Sequence, residues 1–294
     1  MAGRYHIAAA ELEAPSLTPG LYLVATPIGN LGDVTLRALE TLAACDTIYC
    51  EDTRVSVRLL ERYGIKKPLK ALHDHNEADI APQLVKDITA GRALVLVSDA
   101  GTPLISDPGY KLVKACADAG VAITALPGAS AVLTGLQLSG LATDAFRFIG
   151  FLPGADGERR TVLEESLASP ETTVAYDSPH RLRDSLQAIA ALDDTRLVAM
   201  ARELTKLHEE VLRGTAAEVL EALSSRENVK GECVVIIAGR KADTQTLDEA
   251  QIARIIADAA SALPASKAAQ QVAKLTGLAR DEAFARILKL KGKA

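Results

Sequence analysis

Ala93-Leu94-Val95-Leu96-Val97-Ser98-Asp99-Ala100-Gly101-Thr102-Pro103 opens on five aliphatic residues and closes on small, polar and conformationally restrained ones. The aliphatic run predicts a strand, the most apolar of its half of the chain. The loop that follows predicts a binding position, because an acidic side chain stands there beside small residues that leave backbone groups open to a ligand's hydroxyl or amine. Working outward, further strands are expected at 21–25, 47–50 and 122–126. Helices are expected around 35–44, 53–63, 77–89 and 109–119, with Gly91 and Gly120 as C-terminal stops. Strand and helix alternate, which predicts an α/β unit with a largely parallel sheet over residues 20–126. In such a sheet ligands gather beyond the carboxyl ends of the strands, so its loops should face one ligand-binding edge.

After Pro127-Gly128 the pattern continues with a helix to about residue 139 and strands at 146–150, 172–176, 197–201, 206–212 and 233–238. Helices look sparse around the last of these strands. That predicts a mixed sheet with an antiparallel pair, hence a second α/β domain over 127–240. Residues 152–160 read as a mobile loop entering a helix. Residues 241–294 differ: Thr246 and Glu249 have capping-box spacing, and Ile252, Ile255, Ile256 and Leu263 line one helix face until Pro264 ends it. Two more helices, 266–276 and 280–290, meet at Gly277, giving a small helical appendage of helix-turn-helix outline. From residue 264 it carries Lys267, Lys274, Arg280, Arg286, Lys289, Lys291 and Lys293 against Asp281 and Glu282, either a basic contact surface or an ordinary solvated face. Residues 1–19 read as a flexible leader, since Glu11 and Glu13 interrupt Ala8 to Ala10 before any signal-peptide core forms.

Composition narrows the function. A chain of 294 residues predicts two cores, and 48% hydrophobic with 24% charged residues excludes disordered and collagen-like classes. Aromatics make up 3% with no Trp, which argues against a platform of stacked rings for RNA. The net charge of −5 argues against a broad basic field that coats nucleic acid. Cys45, Cys50, Cys116 and Cys233 form no Cys-x-x-Cys pair and read as reduced core thiols, so the expected compartment is the cytoplasm. No stretch reaches the roughly twenty apolar residues of a membrane helix, so no membrane contact is expected.

Other strand ends repeat the chemistry of the opening loop. Thr26-Pro27-Ile28-Gly29-Asn30-Leu31-Gly32-Asp33 makes a tight turn before a helix, but its glycines lack the Gly-x-Gly-x-x-Gly spacing of a nicotinamide site. Leu126-Pro127-Gly128-Ala129-Ser130-Ala131 ends a strand and opens a helix. Cys50-Glu51-Asp52-Thr53-Arg54 packs three charges into four positions, to meet substrate or to cap the next helix. His73-Asp74-His75-Asn76-Glu77 adds titratable groups to the rim without a clear third metal ligand, so no metal is expected. In the second half, Tyr176-Asp177-Ser178-Pro179-His180-Arg181 follows a strand, Arg202, Lys206 and His208 sit near a hairpin, and Gly231-Glu232 precedes the final strand. Independent turns have no reason to gather Gly, Pro and Asp at one end of a sheet; a shared ligand supplies one.

Taken together, segments 25–33, 51–54, 98–103, 126–128 and 176–181 resemble the tetrapyrrole methylase superfamily from about Gly20 to Ala238. Within it, the likeness is close to the branch that methylates a cytidine ribose of 16S ribosomal RNA. This resemblance implies two α/β domains, S-adenosylmethionine held in the cleft between them, and a homodimer. It assigns the cofactor to Pro27, Gly29, Asp99, Gly101, Thr102, Ser130, Ala131 and Tyr176, with Glu232 added. It also makes the tail an accessory contact to ribosomal RNA within the small subunit, through Lys267, Lys274, Arg280, Arg286 and Lys289. A ribose hydroxyl is a poor nucleophile, so a carboxylate or imidazole near its proton is expected. Asp52, Glu51 and His75 are the candidates, with Arg54 steadying a phosphate or an acidic partner. Two alternatives remain at this point: a methyltransferase of the same fold acting on a tetrapyrrole or another small acceptor, and a noncatalytic RNA-binding protein of ribosome assembly.

Overall fold

A computed structural model describes residues 3–224, 226, 229–240 and 248–292. The chain starts with a hairpin of β1 (Gly3–Ile7) and β2 (Ala10–Ala14) where a flexible leader was expected. Its order has a physical cause. Tyr5 and Ala14 are buried against the first core, the His6 amide donates to the Tyr63 carbonyl at 2.8 Å, and Arg4 pairs with Glu11 and Glu13 on the outer face. The turn escaped the reading because Ala8-Ala9 carries none of the usual hairpin residues, yet Ala8 adopts φ 52°.

The first sheet is parallel throughout. Its elements run β3 (Gly20–Val24), α1 (Leu36–Ala44), β4 (Thr47–Cys50), α2 (Thr53–Arg62), β5 (Leu69–Ala71), α3 (Glu77–Thr89), β6 (Ala93–Val97), α4 (Tyr110–Asp118) and β7 (Ile123–Leu126), with strand order β5-β4-β6-β3-β7. β6 shows why its run is wholly apolar: Ala93, Val95 and Val97 enter a core with α1 and α2, while Leu94 and Leu96 enter another with α3 and α4. Buried Glu77 of α3 accepts the Leu112 amide at 2.8 Å and so anchors the first turn of α4.

The second sheet is mixed. α5 (Ala131–Ser139), β8 (Phe146–Phe151), α6 (Asp156–Ala168), β9 (Thr172–Asp177), α7 (Leu182–Leu192), β10 (Leu197–Arg202), β11 (Glu210–Thr215), α8 (Ala216–Ser224) and β12 (Cys233–Ile237) follow in order. The sheet order is β11-β10-β12-β9-β8, with only β8 and β9 parallel. Cys233, Val235 and Ile237 face a core shared with α6, α7 and α8, while Val234 and Ile236 face α5 and Ile28. Two expectations are corrected here. Lys206 and His208 lie in the turn before β11 rather than in a strand, and α8 occupies a stretch where helices looked sparse. Residues 156–160 belong to α6, anchored by buried Arg159 on Asp156, so the mobile segment is confined to the turn before it at most.

The tail is a separate compact unit of α9 (Glu249–Ala262), α10 (Ala265–Thr276) and α11 (Arg280–Lys291). Ile256, Ala268, Ala269, Val272, Ala283 and Ile287 form its core, and Gly277 closes α10 in the left-handed region. The capping box is made by Asp248 with Gln251, where Glu249 was expected to answer Thr246; Thr246, like Lys293, lies outside the described residues. No helix among the described residues is long and apolar enough to cross a membrane.

Candidate active site

Because every strand of the first sheet points the same way, the loops after β3, β4, β6 and β7 leave one edge, and hydrogen bonds stitch them together. The Thr26 and Gly101 amides each donate to the other's carbonyl at 2.9 Å, which fastens the β3 loop to the β6 loop. The Thr26 hydroxyl donates to the Ser98 carbonyl at 3.0 Å, and the Thr102 hydroxyl donates to the Ala129 carbonyl at 3.1 Å, reaching the β7 loop. From the β4 loop, the Asp52 amide donates to Asp99 Oδ1 at 3.0 Å. Gly101 holds φ +82° with Ile28 against its open side, a conformation that a side chain would strain.

Against this edge stands the matching end of the second sheet. Its register places Asp177, Cys233, Arg202 and Glu210 in one row, so the end of β9, the end of β10 and the start of β12 coincide. Between them lies a cavity of about 590 Å³. Asp99, Gly101, Thr102, Ser130, Ala131, Tyr176 and Glu232, all assigned from the sequence, line it. Tyr176 makes an edge contact with Phe148 at 4.9 Å and a tilted one with exposed Phe151 at 5.3 Å, pairs worth about 0.5–1.5 kcal/mol each beyond burial. Burial, then the charges of Asp107 and Glu232, pushes the Tyr176 hydroxyl up to about 12, so it stays protonated and a hydrogen-bond donor. Lys206 Nζ reaches Glu203 at 2.9 Å and Glu232 at 3.1 Å; burial opposes its charge, but these bonds outweigh burial and hold the ammonium above its ordinary range. All four cysteines are buried and free, and burial pushes the Cys233 thiol, on the cavity wall, up to about 12.

The remaining assignments fall elsewhere. Pro27 and Gly29 line a smaller adjoining pocket of about 140 Å³, which Asp99 shares. None of Glu51, Asp52, Arg54 and His75 lines the main cavity. Asp52 caps α2 through the Arg54 amide at 2.8 Å, and both its oxygens take the Arg54 guanidinium, at 2.6 to 3.1 Å. Those hydrogen bonds hold its carboxyl down to about 2, which makes it a weaker base than an unpaired carboxylate, and they occupy part of the exposed Arg54 guanidinium. Glu51 is exposed, and burial with the charges of Asp99 and Asp74 raises its carboxyl. His75 is also exposed, its ring 6.1 Å from that of His73. In the tail, Lys267, Lys274, Arg280 and Lys289 are exposed, whereas Arg286 is spent on Glu249 and Glu282. Sequence reasoning passed over Asp107, Phe151 and Glu203 on the cavity wall. Asp107 carried a usable signal, since it sits in the same strand-end loop as Asp99.

A cleft between a parallel sheet's carboxyl edge and a mixed sheet, closed by an acidic and aromatic wall, defines a two-lobed small-ligand enzyme. The chain belongs to the Tetrapyrrole (Corrin/Porphyrin) Methylases, whose family model matches residues 20–220. A second model, the RsmI C-terminal HTH domain, matches residues 246–291. The Ribosomal RNA small subunit methyltransferase I of Mesorhizobium japonicum is 47% identical over 96% of this chain and 95% of its own length. That of Haemophilus influenzae is 45% identical over 91% and 96%. Among solved structures, the uroporphyrin-III C-methyl transferase from Thermus thermophilus complexed with S-adenyl homocysteine aligns with a TM-score of 0.51. It is 20% identical and covers 74% of this chain and 97% of its own, a likeness of fold alone.

Proposed function

We propose that the protein transfers a methyl group from S-adenosylmethionine to the ribose 2′-hydroxyl of a cytidine in 16S ribosomal RNA of the small subunit. The observation that carries this reading is that seven side chains and loop positions assigned from the sequence, drawn from both sheets, line one cavity. The donor fits that wall. Asp99, Glu203 and Glu232 suit a ligand with ammonium, sulfonium and ribose hydroxyl groups, Phe151 and Tyr176 suit a purine face, and the volume lies in the range of small-ligand sites. The donor supplies a methyl already activated on sulfur. The chain's residues then have to hold the acceptor in line and keep water out.

The ribosomal acceptor is supported by the names of the relatives and by the exposed Lys267, Lys274, Arg280 and Lys289 of the tail. Residues 20–126 and 127–240 act in this reading as the two lobes of the transferase, and 241–294 as its RNA contact. In this reading the reaction belongs in the cytoplasm, on a homodimer.

Labelled S-adenosylmethionine offered with small subunits that lack the modification should give labelled 2′-O-methylcytidine on nucleoside mapping. Label on a tetrapyrrole but not on RNA rejects the acceptor; no binding of the donor by calorimetry rejects the whole reading.

A further inference from the structure

The carboxylates on the cavity wall differ in what they already hold. Asp99 accepts the Asp52 amide, Glu203 and Glu232 hold Lys206, and Asp177 accepts the Ser178 amide at 2.8 Å beside Arg181. Asp107 is the exception among these wall carboxylates: no backbone amide and no cation is bonded to it, and the Ser98 hydroxyl near it also donates to the Gly101 carbonyl at 3.0 Å. It is half-buried on the wall shared with Tyr176.

Its loop is built under strain. Leu104 at φ 72° and Ser106 at φ 66° both lie in the left-handed region, and Gly109 at φ 127° follows. Two non-glycine residues held there cost on the order of 1–3 kcal/mol each, and such strain gathers at functional sites. The result is a carboxylate on the cavity wall that no backbone amide and no cation holds, flanked by exposed Ile105 and Phe151.

Resting on the reading above, we propose that Asp107 is the proton acceptor for the ribose hydroxyl during methyl transfer. The O2′–H bond breaks and its proton passes to Asp107 Oδ. The O2′ electron pair forms the new bond to the methyl carbon, and the methyl–sulfur electron pair stays on sulfur. Products are the 2′-O-methyl ribose, S-adenosylhomocysteine and a protonated Asp107 that returns its proton to solvent.

Electrostatics supports the geometry. Burial, then Glu51 and Asp99, pushes the Asp107 carboxyl up to about 6 against the opposing Ser98 hydrogen bond, close to the working pH that general base catalysis favours. The charged and titratable groups around it are Glu51 after β4, Asp99 after β6, Tyr176 and Asp177 of β9 and, on the second sheet's side of the cavity, Glu203, Lys206 and Glu232.

The test is Asp107→Asn, near-isosteric and uncharged. Single-turnover methyl transfer to small subunits should fall by roughly 10²- to 10⁴-fold while calorimetric affinity for S-adenosylmethionine is kept. The wild-type rate should rise with pH through about 6 and then level, and the variant should lose that inflection. Carboxyl NMR of the RNA-free protein gives a readout independent of turnover: one resonance titrating near 6 should vanish in Asp107→Asn and move down in Glu51→Gln. An Asp107→Asn enzyme that keeps its rate and its inflection overturns the proposal. So does one that loses donor binding as steeply as rate. Wild-type protein that binds the donor but methylates no subunit RNA would instead overturn the functional reading, leaving the carboxyl titration to stand or fall by itself.

Discussion

The two sheets build their shares of the site by different means. The parallel sheet contributes loops: four strand ends leave one edge, and backbone hydrogen bonds such as Thr26 to Gly101 fix their shape. The mixed sheet contributes side chains. Its antiparallel register brings Asp177, Cys233, Arg202 and Glu210 into a row, and ion pairs hold the neighbouring Lys206, Glu203 and Arg226. One half therefore depends on permitted backbone conformations and the other on charge, so they should fail under different insults.

The largest effect that separates them is expected from Gly101→Val. A β-branched residue at φ +82° meets Ile28 and carries about 1–3 kcal/mol of strain into the stitched loops, so affinity for S-adenosylmethionine should drop roughly tenfold to a hundredfold by calorimetry. An unchanged affinity would mean that the loop's shape does not make the site.

Acid should act on the other half. Hydrogen bonds from Arg226, and secondarily from Arg202, outweigh burial and hold the Glu210 carboxyl down to about 2, against an ordinary 4.5. Its folded value is depressed, so its stabilisation is present above about 4.5 and is lost as pH falls towards 2. In Glu210→Gln the decline of Tm across that window should be shallower than in the wild type. Parallel curves would show that this mixed-sheet cluster is not where acid acts.

The smallest effect is expected from Asp52→Asn. An amide still caps α2, and the Asp52 backbone amide still donates to Asp99, so methyl transfer and donor binding should both stay close to wild type. A loss confined to transfer would restore Asp52 as the base and weaken the case for Asp107.

Much of this was legible in the sequence where chemistry and periodicity agree. The run at β6 was found to the residue because it is buried on both faces, and the strand-end Gly, Pro and Asp residues pointed to the cavity that Asp99, Thr102, Ser130 and Tyr176 line. What failed was partnership. Asp52 and Asp107 are both loop aspartates in sequence, and only the fold reveals that one is bound by Arg54 while the other is held by no cation. The pairing of Arg286 with Glu249 was hidden for the same reason, since Glu249 lies a helix away in sequence. The N-terminal hairpin was hidden because its stability comes from tertiary burial of Tyr5, not from local turn residues.

Ile28 carries a further consequence. It leaves the first strand's loop yet packs with Val132, Leu136, Val174 and Ile236 beneath the second sheet, some two hundred positions downstream of it at the far end. The ribosome thus releases the plug long before it makes the socket. A gene cut near residue 127 would separate Ile28 from the residues it packs with, whereas a permuted chain that keeps residue 28 attached to its loop would keep them together.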